Sequence, residues 1–185
     1  MYLVISASPN SDGLTAACAK AAMDGFAGVG AQSAHLDLCG MELAHCDQCD
    51  NGWGTCRTEH TCVLNDDLAE LQQAVTGAQG IVIVTPVYFG EMAESAKAAF
   101  DRLRRCEATK GEQSAVAGKP IIAVAAAGGS GGGITTCLLS MERLIQHMRG
   151  QVVDLIGITR RNHAHKLDAI RASAATMAAT AGEPR

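Results

Sequence analysis

Aromatic residues are scarce in this chain. Three Phe, two Tyr and one Trp make up 3% of 185 residues. So few ring faces exclude a platform on which successive nucleic-acid bases stack. Charge is sparse as well: 15 Lys and Arg stand against 19 Asp and Glu, for a net charge of −4. That balance disfavours binding through a phosphate backbone, so no nucleic-acid partner is expected. No apolar run reaches the roughly 18–20 residues of a membrane helix, so no membrane partner is expected either. The apolar start Tyr2–Ile5 stops at Ser6, Ser8, Pro9 and Asn10, with no basic segment before it. It is too short for a signal-peptide core, and a cytoplasmic location is expected.

What the chain does have is apolar mass and sulfur. Hydrophobic residues make up 48% of it, enough for a core without disulfide staples. The length fits one domain over residues 1–185. Eight cysteines without an export signal read as thiols or metal ligands rather than as a disulfide framework. Cys46, Cys49, Cys56 and Cys62 fall in one short segment, while Cys18, Cys39, Cys106 and Cys137 lie scattered through apolar stretches. Cys18 and Cys137 read as small core residues, whereas Cys39 and Cys106 fit either role.

Short apolar runs alternate with helix-type stretches. Strands are predicted at Tyr2–Ala7, Gln32–Leu38, Gly80–Thr85, Pro120–Ala126 and Gln151–Thr159. Helices are predicted at Thr15–Phe26, from Asp66 or Asp67 to Val75, and at Ala93–Arg105, Thr135–Met148 and Lys166–Ala179. The tail Gly182–Arg185 is expected to fray. GIVIVT at Gly80–Thr85 has the unbroken apolar character of a strand covered on both faces. Such alternation implies an α/β sandwich of three layers: a five-stranded parallel sheet with helices on both faces. Ligands of such sheets sit beyond the carboxyl ends of the strands.

Three loops at that edge are unusual. Ser6–Thr15 (SASPNSDGLT) sets hydroxyls and a glycine before a helix start, where unpaired N–H groups favour a phosphate. It is neither a P-loop nor a G-x-G-x-x-G turn, and it carries no Lys or Arg. A monophosphate suits it, and an ordinary turn with Thr15 as helix cap is the plainer alternative. Thr85–Met92 (TPVYFGEM) has the parts to hold a flat ring: backbone N–H groups, little bulk, and aromatic edges. Its alternative is Tyr88 and Phe89 as core at a strand end. Ala126–Gly133 (AAGGSGGG) permits close backbone approach to a ligand, with a flexible surface loop as the alternative.

Together, SPNSDGLT, TPVYFGEMAESAKAAFDRLRR and the glycine loop resemble the NADPH-dependent FMN reductase and flavodoxin-like flavoprotein family. The resemblance covers Met1 to about Thr159, and TPVYFG with the following Lys and Asp-Arg is its most specific part. It implies a flavodoxin-like fold and bound FMN. Ser8, Asn10, Gly13, Leu14 and Thr15 would match the phosphate loop. Pro86, Val87, Tyr88, Phe89 and Gly90 would lie along the isoalloxazine, and Gly128, Gly129 and Gly132 on its other side. Asn10 stands where relatives often carry Arg. Asp101 matches a helix Asp of the family and reads as structural.

The segment His45–Cys62 has the spacing C-x2-C-x6-C-x5-C within a cysteine-rich loop of about residues 39–65. Four thiolates so placed suit one [4Fe–4S] cluster or one zinc, and free thiols in a polar loop are the third reading. The segment resembles the iron–sulfur branch of the same family. Its middle gap is four residues longer than usual there and carries Gly52, Trp53 and Gly54. His45 and His60 read as exposed loop residues, with ligation as the alternative. Arg102, Arg104, Arg105, Arg160 and Arg161 read as a solvated helix face and strand end, or as a draw for a nicotinamide phosphate.

The function this implies is an FMN-dependent oxidoreductase. Electrons from NAD(P)H as co-substrate, or from a reduced partner, would pass through FMN to a small-molecule or ferredoxin-like acceptor. No separate catalytic acid or base is expected. A cluster in the loop would couple a two-electron donor to one-electron partners. The alternatives are an electron carrier or redox sensor without turnover, and a zinc-stabilised binding module. The resemblance also implies a homodimer or homotetramer.

Overall fold

The computed structural model describes residues 1–180; the tail Gly182–Arg185 lies outside them. Strands are β1 (Tyr2–Ser6), β2 (Ser33–Asp37), β3 (Ile81–Tyr88), β4 (Glu91–Met92), β5 (Pro120–Ala127) and β6 (Gln151–Thr159). Helices are α1 (Leu14–Gly28), α2 (Cys49–Gly52), α3 (Thr55–Thr58), α4 (Leu68–Gly77), α5 (Glu94–Glu107), α6 (Ile134–His147) and α7 (His163–Ala179). α2 and α3 are single turns inside the cysteine segment, and Asp50 and Asn51 depart from helical geometry within α2.

The main sheet runs in the order β2-β1-β3-β5-β6, all parallel, as a flavodoxin-like fold requires. β4, which the sequence does not announce, pairs antiparallel with the far end of β3. The TPVY stretch therefore continues β3 rather than forming a loop of its own.

Period-two alternation explains the unbroken apolar runs. In β1, Leu3 and Ile5 join one core while Tyr2 and Val4 join the other. Along β3, Ile81 and Ile83 divide from Val82 and Val84 in the same way. The first core includes Leu71 of α4, Phe100 of α5 and Met141 of α6. The second includes Phe26 of α1 and Ile170 of α7. Tyr2 stacks on Phe26, with ring centroids 4.5 Å apart. Cys18 and Cys137 are fully buried core residues.

After β1 the chain passes to β2 on one side and, through α4, to β3 on the other. The direction of the connections reverses between β1 and β3, leaving a crevice at their carboxyl ends. Among the described residues, no helix is long and apolar enough to cross a membrane.

Candidate functional site

The loop after β1 reaches α1 without a side-chain cap: Gly13 is the N-cap, and Thr15 is buried rather than capping. The first N–H groups of α1 thus have no side-chain acceptor at the cap. Asn10 folds over this start, its Oδ1 accepting from Asp12 N at 3.2 Å. Ser8 Oγ accepts from Asn10 N at 3.3 Å. Leu14 and Ser8 are half-buried and Asn10 is exposed.

The loop itself carries no cation, but one approaches from another element. Arg160, just past β6, and His163, at the start of α7, line a shallow cavity with Asn10, Gly13 and Leu14. Arg160 also reaches the glycine loop, since a Cβ at Gly128 would stand 4.0 Å from its Nη2. Arg160 is exposed, as a solvated strand end would be, but its nearness to the first loop is not visible in the sequence because the two segments lie far apart in the chain.

Tyr88 pairs with Glu91 across a two-residue hairpin whose tip is Phe89–Gly90. Both tip residues have positive φ, +50° and +86°. Such turns usually take Asn or Gly first, so a phenylalanine there is strained. Phe89 is fully exposed and Tyr88 is 48% exposed, which overturns the alternative of core residues at a strand end. Pro86 and Val87 are half-buried beneath them. A strained turn presenting an apolar ring to solvent is characteristic of a ligand site.

The hairpin is locked to the glycine loop. A Cβ on Gly133 would stand 2.6 Å from Gly90 Cα, so no larger residue fits there unless the backbone moves. Thr136 Oγ1 donates across the junction to Gly90 O, at 2.8 Å. Gly128, Gly129 and Gly132 are exposed on the same edge. The structure thus brings the three loops together at the β1/β3 crevice. Gly133, the last residue of the expected glycine loop, and Thr136, which the sequence does not single out, form the joint.

The cysteine segment borders this site. One groove is lined by Tyr88, Phe89 and Met92 on one side and by His45 and Cys46 on the other. Cys46 also lines a second, smaller cavity with Cys49, Cys56, Cys62 and Cys106. All eight cysteines are free. Among the described residues, no three His, Cys, Asp or Glu groups stand close enough to hold one metal ion. His45 is exposed, as expected, and faces Glu94 at 3.3 Å, whereas His60 is half-buried and meets Thr109 Oγ1 at 3.1 Å.

Arg102 and Arg105 of α5 line the same cavity. The expectation of a solvated face fails for Arg102, whose side chain is 1% exposed. Its Nη atoms bond Asp66, and Nη1 also donates to Ala44 O at 3.0 Å. Burial works against its charge, but the hydrogen bonds to Asp66, with the Cys62 sulfur nearby, outweigh that and push its pKa up. Asp66 is held below the ordinary carboxylate value chiefly by its bond to Arg102. Asp66, rather than Asp67, meets the start of α4, accepting from Leu68 N at 3.2 Å. Asp67 turns back to Glu42 N at 2.7 Å.

Two atoms here stand out. Arg102 Nε and Arg105 Nε are the buried side-chain polar atoms without a hydrogen-bond partner among the described residues. An unmet buried donor costs on the order of 1–3 kcal/mol. Two such arginines lining one cavity with a cluster of thiols fit an anionic, sulfur-ligated group. Burial, with Cys56 and Cys62 nearby, pushes the Cys106 thiol up to about 12. A signal for this site existed in the sequence: Arg102, Arg105 and Cys106 are spaced i, i+3, i+4, which shares one helix face.

The sequence model of one family, described as NADPH-dependent FMN reductase, matches residues 2–162. The chain belongs to that family. An iron–sulfur flavoprotein of Methanocaldococcus jannaschii is 32% identical over 100 residues, 54% of this chain and 50% of that protein. Another, from Methanosarcina thermophila, is 32% identical over 115 residues, 60% of this chain and 54% of that protein. The chain therefore spans about half the length of these curated relatives. Among solved structures, a flavone reductase superposes with a TM-score of 0.76 at 16% identity, covering 99% of this chain and 64% of the other. An archaeal flavodoxin superposes at 0.64 with 14% identity, covering 99% and 100%. At such identities these structures speak for the fold.

Proposed function

We propose that this FMN reductase family member is an oxidoreductase that binds FMN at the β1/β3 crevice and a [4Fe–4S] cluster on Cys46, Cys49, Cys56 and Cys62. The observation that carries the reading is adjacency: the groove along the Tyr88–Phe89 hairpin, one of the three loops at the switch point, shares Cys46 with a cavity lined by thiols and by two arginines with unpartnered donors. When bound, FMN supplies two-electron and one-electron transfer, and the cluster supplies one-electron transfer.

The chain's own residues position and insulate these groups. Ser8, Asn10, Gly13, Leu14 and Thr15 offer hydroxyls and backbone N–H groups to the phosphate. Arg160 supplies the cation that the loop lacks. Pro86, Val87, Tyr88, Phe89 and Gly90 lie along the ring, mainly through backbone atoms. Gly128, Gly129 and Gly132 close its other side with little bulk. The electron donor is NAD(P)H or a reduced partner, and the acceptor a small molecule or a ferredoxin-like protein.

The test is a visible spectrum of protein purified without oxygen, before and after dithionite, with iron, sulfide, zinc and FMN measured per chain. Two flavin bands over a broad shoulder that bleaches, with matching iron and sulfide, is the expected result. A clean flavin spectrum without iron would leave an FMN reductase with a thiol or zinc loop. A colourless chain that takes up no FMN would overturn the reading. Steady NAD(P)H oxidation with a quinone separates an enzyme from a non-enzymatic carrier.

A further inference from the structure

We infer that Arg105, held in place by Trp53, is the cation that sets the reduction potential of the group on the four cysteines, with Arg102 Nε as a second donor to it. The inference rests on the cluster reading above. Its starting point is that the two arginines with an unpartnered buried Nε–H both line the thiol cavity.

The two arginines differ in charge balance. Arg102 is matched by Asp66, so it contributes an N–H donor more than a net charge. Arg105 makes no ion pair among the described residues. Its guanidinium lies 4.3 Å from the centroid of the Trp53 ring. Cation–π contact holds a guanidinium without neutralising it. The positive charge therefore stays uncompensated on a residue that lines the same cavity as Cys46, Cys49, Cys56 and Cys62.

This gives the long middle gap of the cysteine spacing a role. Trp53 belongs to that gap, and its neighbour Gly54 lets the turn close on the thiols. A Cβ on Gly54 would stand 3.0 Å from Cys49 Sγ. The gap thus reaches back over α5 and seats Arg105.

The redox consequence follows from charge. One electron from dithionite takes a four-thiolate [4Fe–4S] centre from a dianion to a trianion; no bond breaks and no proton moves. A half-buried cation with a buried N–H donor favours the more negative state, which raises the potential. Removing the cation should make the centre harder to reduce.

The experiment is an anaerobic dye-mediated titration of the reconstituted chain, with iron and sulfide content measured on every sample. Arg105→Gln should keep its iron and sulfide and lower the one-electron equilibrium constant at least tenfold, about 59 mV. Trp53→Leu should shift it the same way by less, and Trp53→Phe should stay near the wild type. Arg104→Gln removes a charge one residue away that lines a separate groove with Asp101 and Arg143, and should change nothing. If Arg105→Gln fails to load, Trp53→Leu decides. An unchanged potential in the loaded Arg105 or Trp53 variant overturns the inference, as does an equal shift in Arg104→Gln. A wild-type chain that binds no iron and sulfide overturns the cluster reading itself, and metal content alone reveals that case.

Discussion

Asp66 and Arg102 meet fork to fork under the cysteine segment, with Nη1 2.5 Å from Oδ2 and Nη2 2.9 Å from Oδ1. Ala44 is bound by both partners: its N–H donates to Asp66 Oδ2 at 3.0 Å, and its carbonyl accepts from Arg102 Nη1 at 3.0 Å. The pair thus clamps both ends of the segment, residues 44 and 66, onto α5. A short, polar, cysteine-rich stretch with little core of its own gains its shape from this clamp.

Breaking the clamp should be costly, because it strands a buried charge. Asp66→Ala should lose about 3–5 kcal/mol of unfolding free energy in urea at neutral pH. A loss under 1 kcal/mol would mean that Arg102 finds water instead.

The same pair predicts an acid response. The folded pKa of Asp66 lies below its unfolded value, so the unfolded chain binds more protons as pH falls. The contribution is fully present above the unfolded value of about 3.9 and is lost as pH drops through the lower folded value. Urea midpoints measured across this range should fall for the wild type. The Asp66→Asn chain should lack that part of the fall.

Gly133→Ala should separate the glycine loop from the hairpin. Its φ of +82° and the 2.6 Å approach to Gly90 Cα leave no place for a methyl group. FMN affinity, read by flavin fluorescence quenching, should weaken at least tenfold. Gly129→Ala, where nothing lies within 4 Å, should have little effect on folding.

Arg160→Gln should weaken FMN by about tenfold, the order of 1–2 kcal/mol expected for a charge-assisted hydrogen bond. Riboflavin, which has no phosphate, should bind both chains alike. Equal losses for the two ligands would place Arg160 against the ring instead.

Thiol reactivity should sort by burial. Burial pushes Cys18 and Cys106 to about 12 and Cys137 to about 11. Brief iodoacetamide treatment of the metal-free chain at pH 8, mapped by mass spectrometry, should label exposed Cys39 early and these three last.

Several features were legible before any coordinates. GIVIVT read as a strand covered on both faces, and alternate side chains of β3 do enter opposite cores. SPNSDGLT and TPVYFG marked the crevice, because a parallel sheet puts every strand-to-helix loop on one edge. The four-cysteine spacing marked thiols that the fold sets around one cavity. Local order alone determines these things: side-chain period, turn chemistry and short spacing are properties of neighbours in the chain.

Tertiary structure decided what those features face. Helical spacing puts Arg102, Arg105 and Cys106 on one side of α5, but only packing turns that side toward thiols rather than water. Arg102 meets Ala44 across 58 residues, and Thr136 meets Gly90 across 46. Likewise, Arg160 approaches Asn10 only because the ends of β6 and β1 open on the same edge. Periodicity names a face but not its partner, since the partner is chosen by the energy of burying that face against all the others.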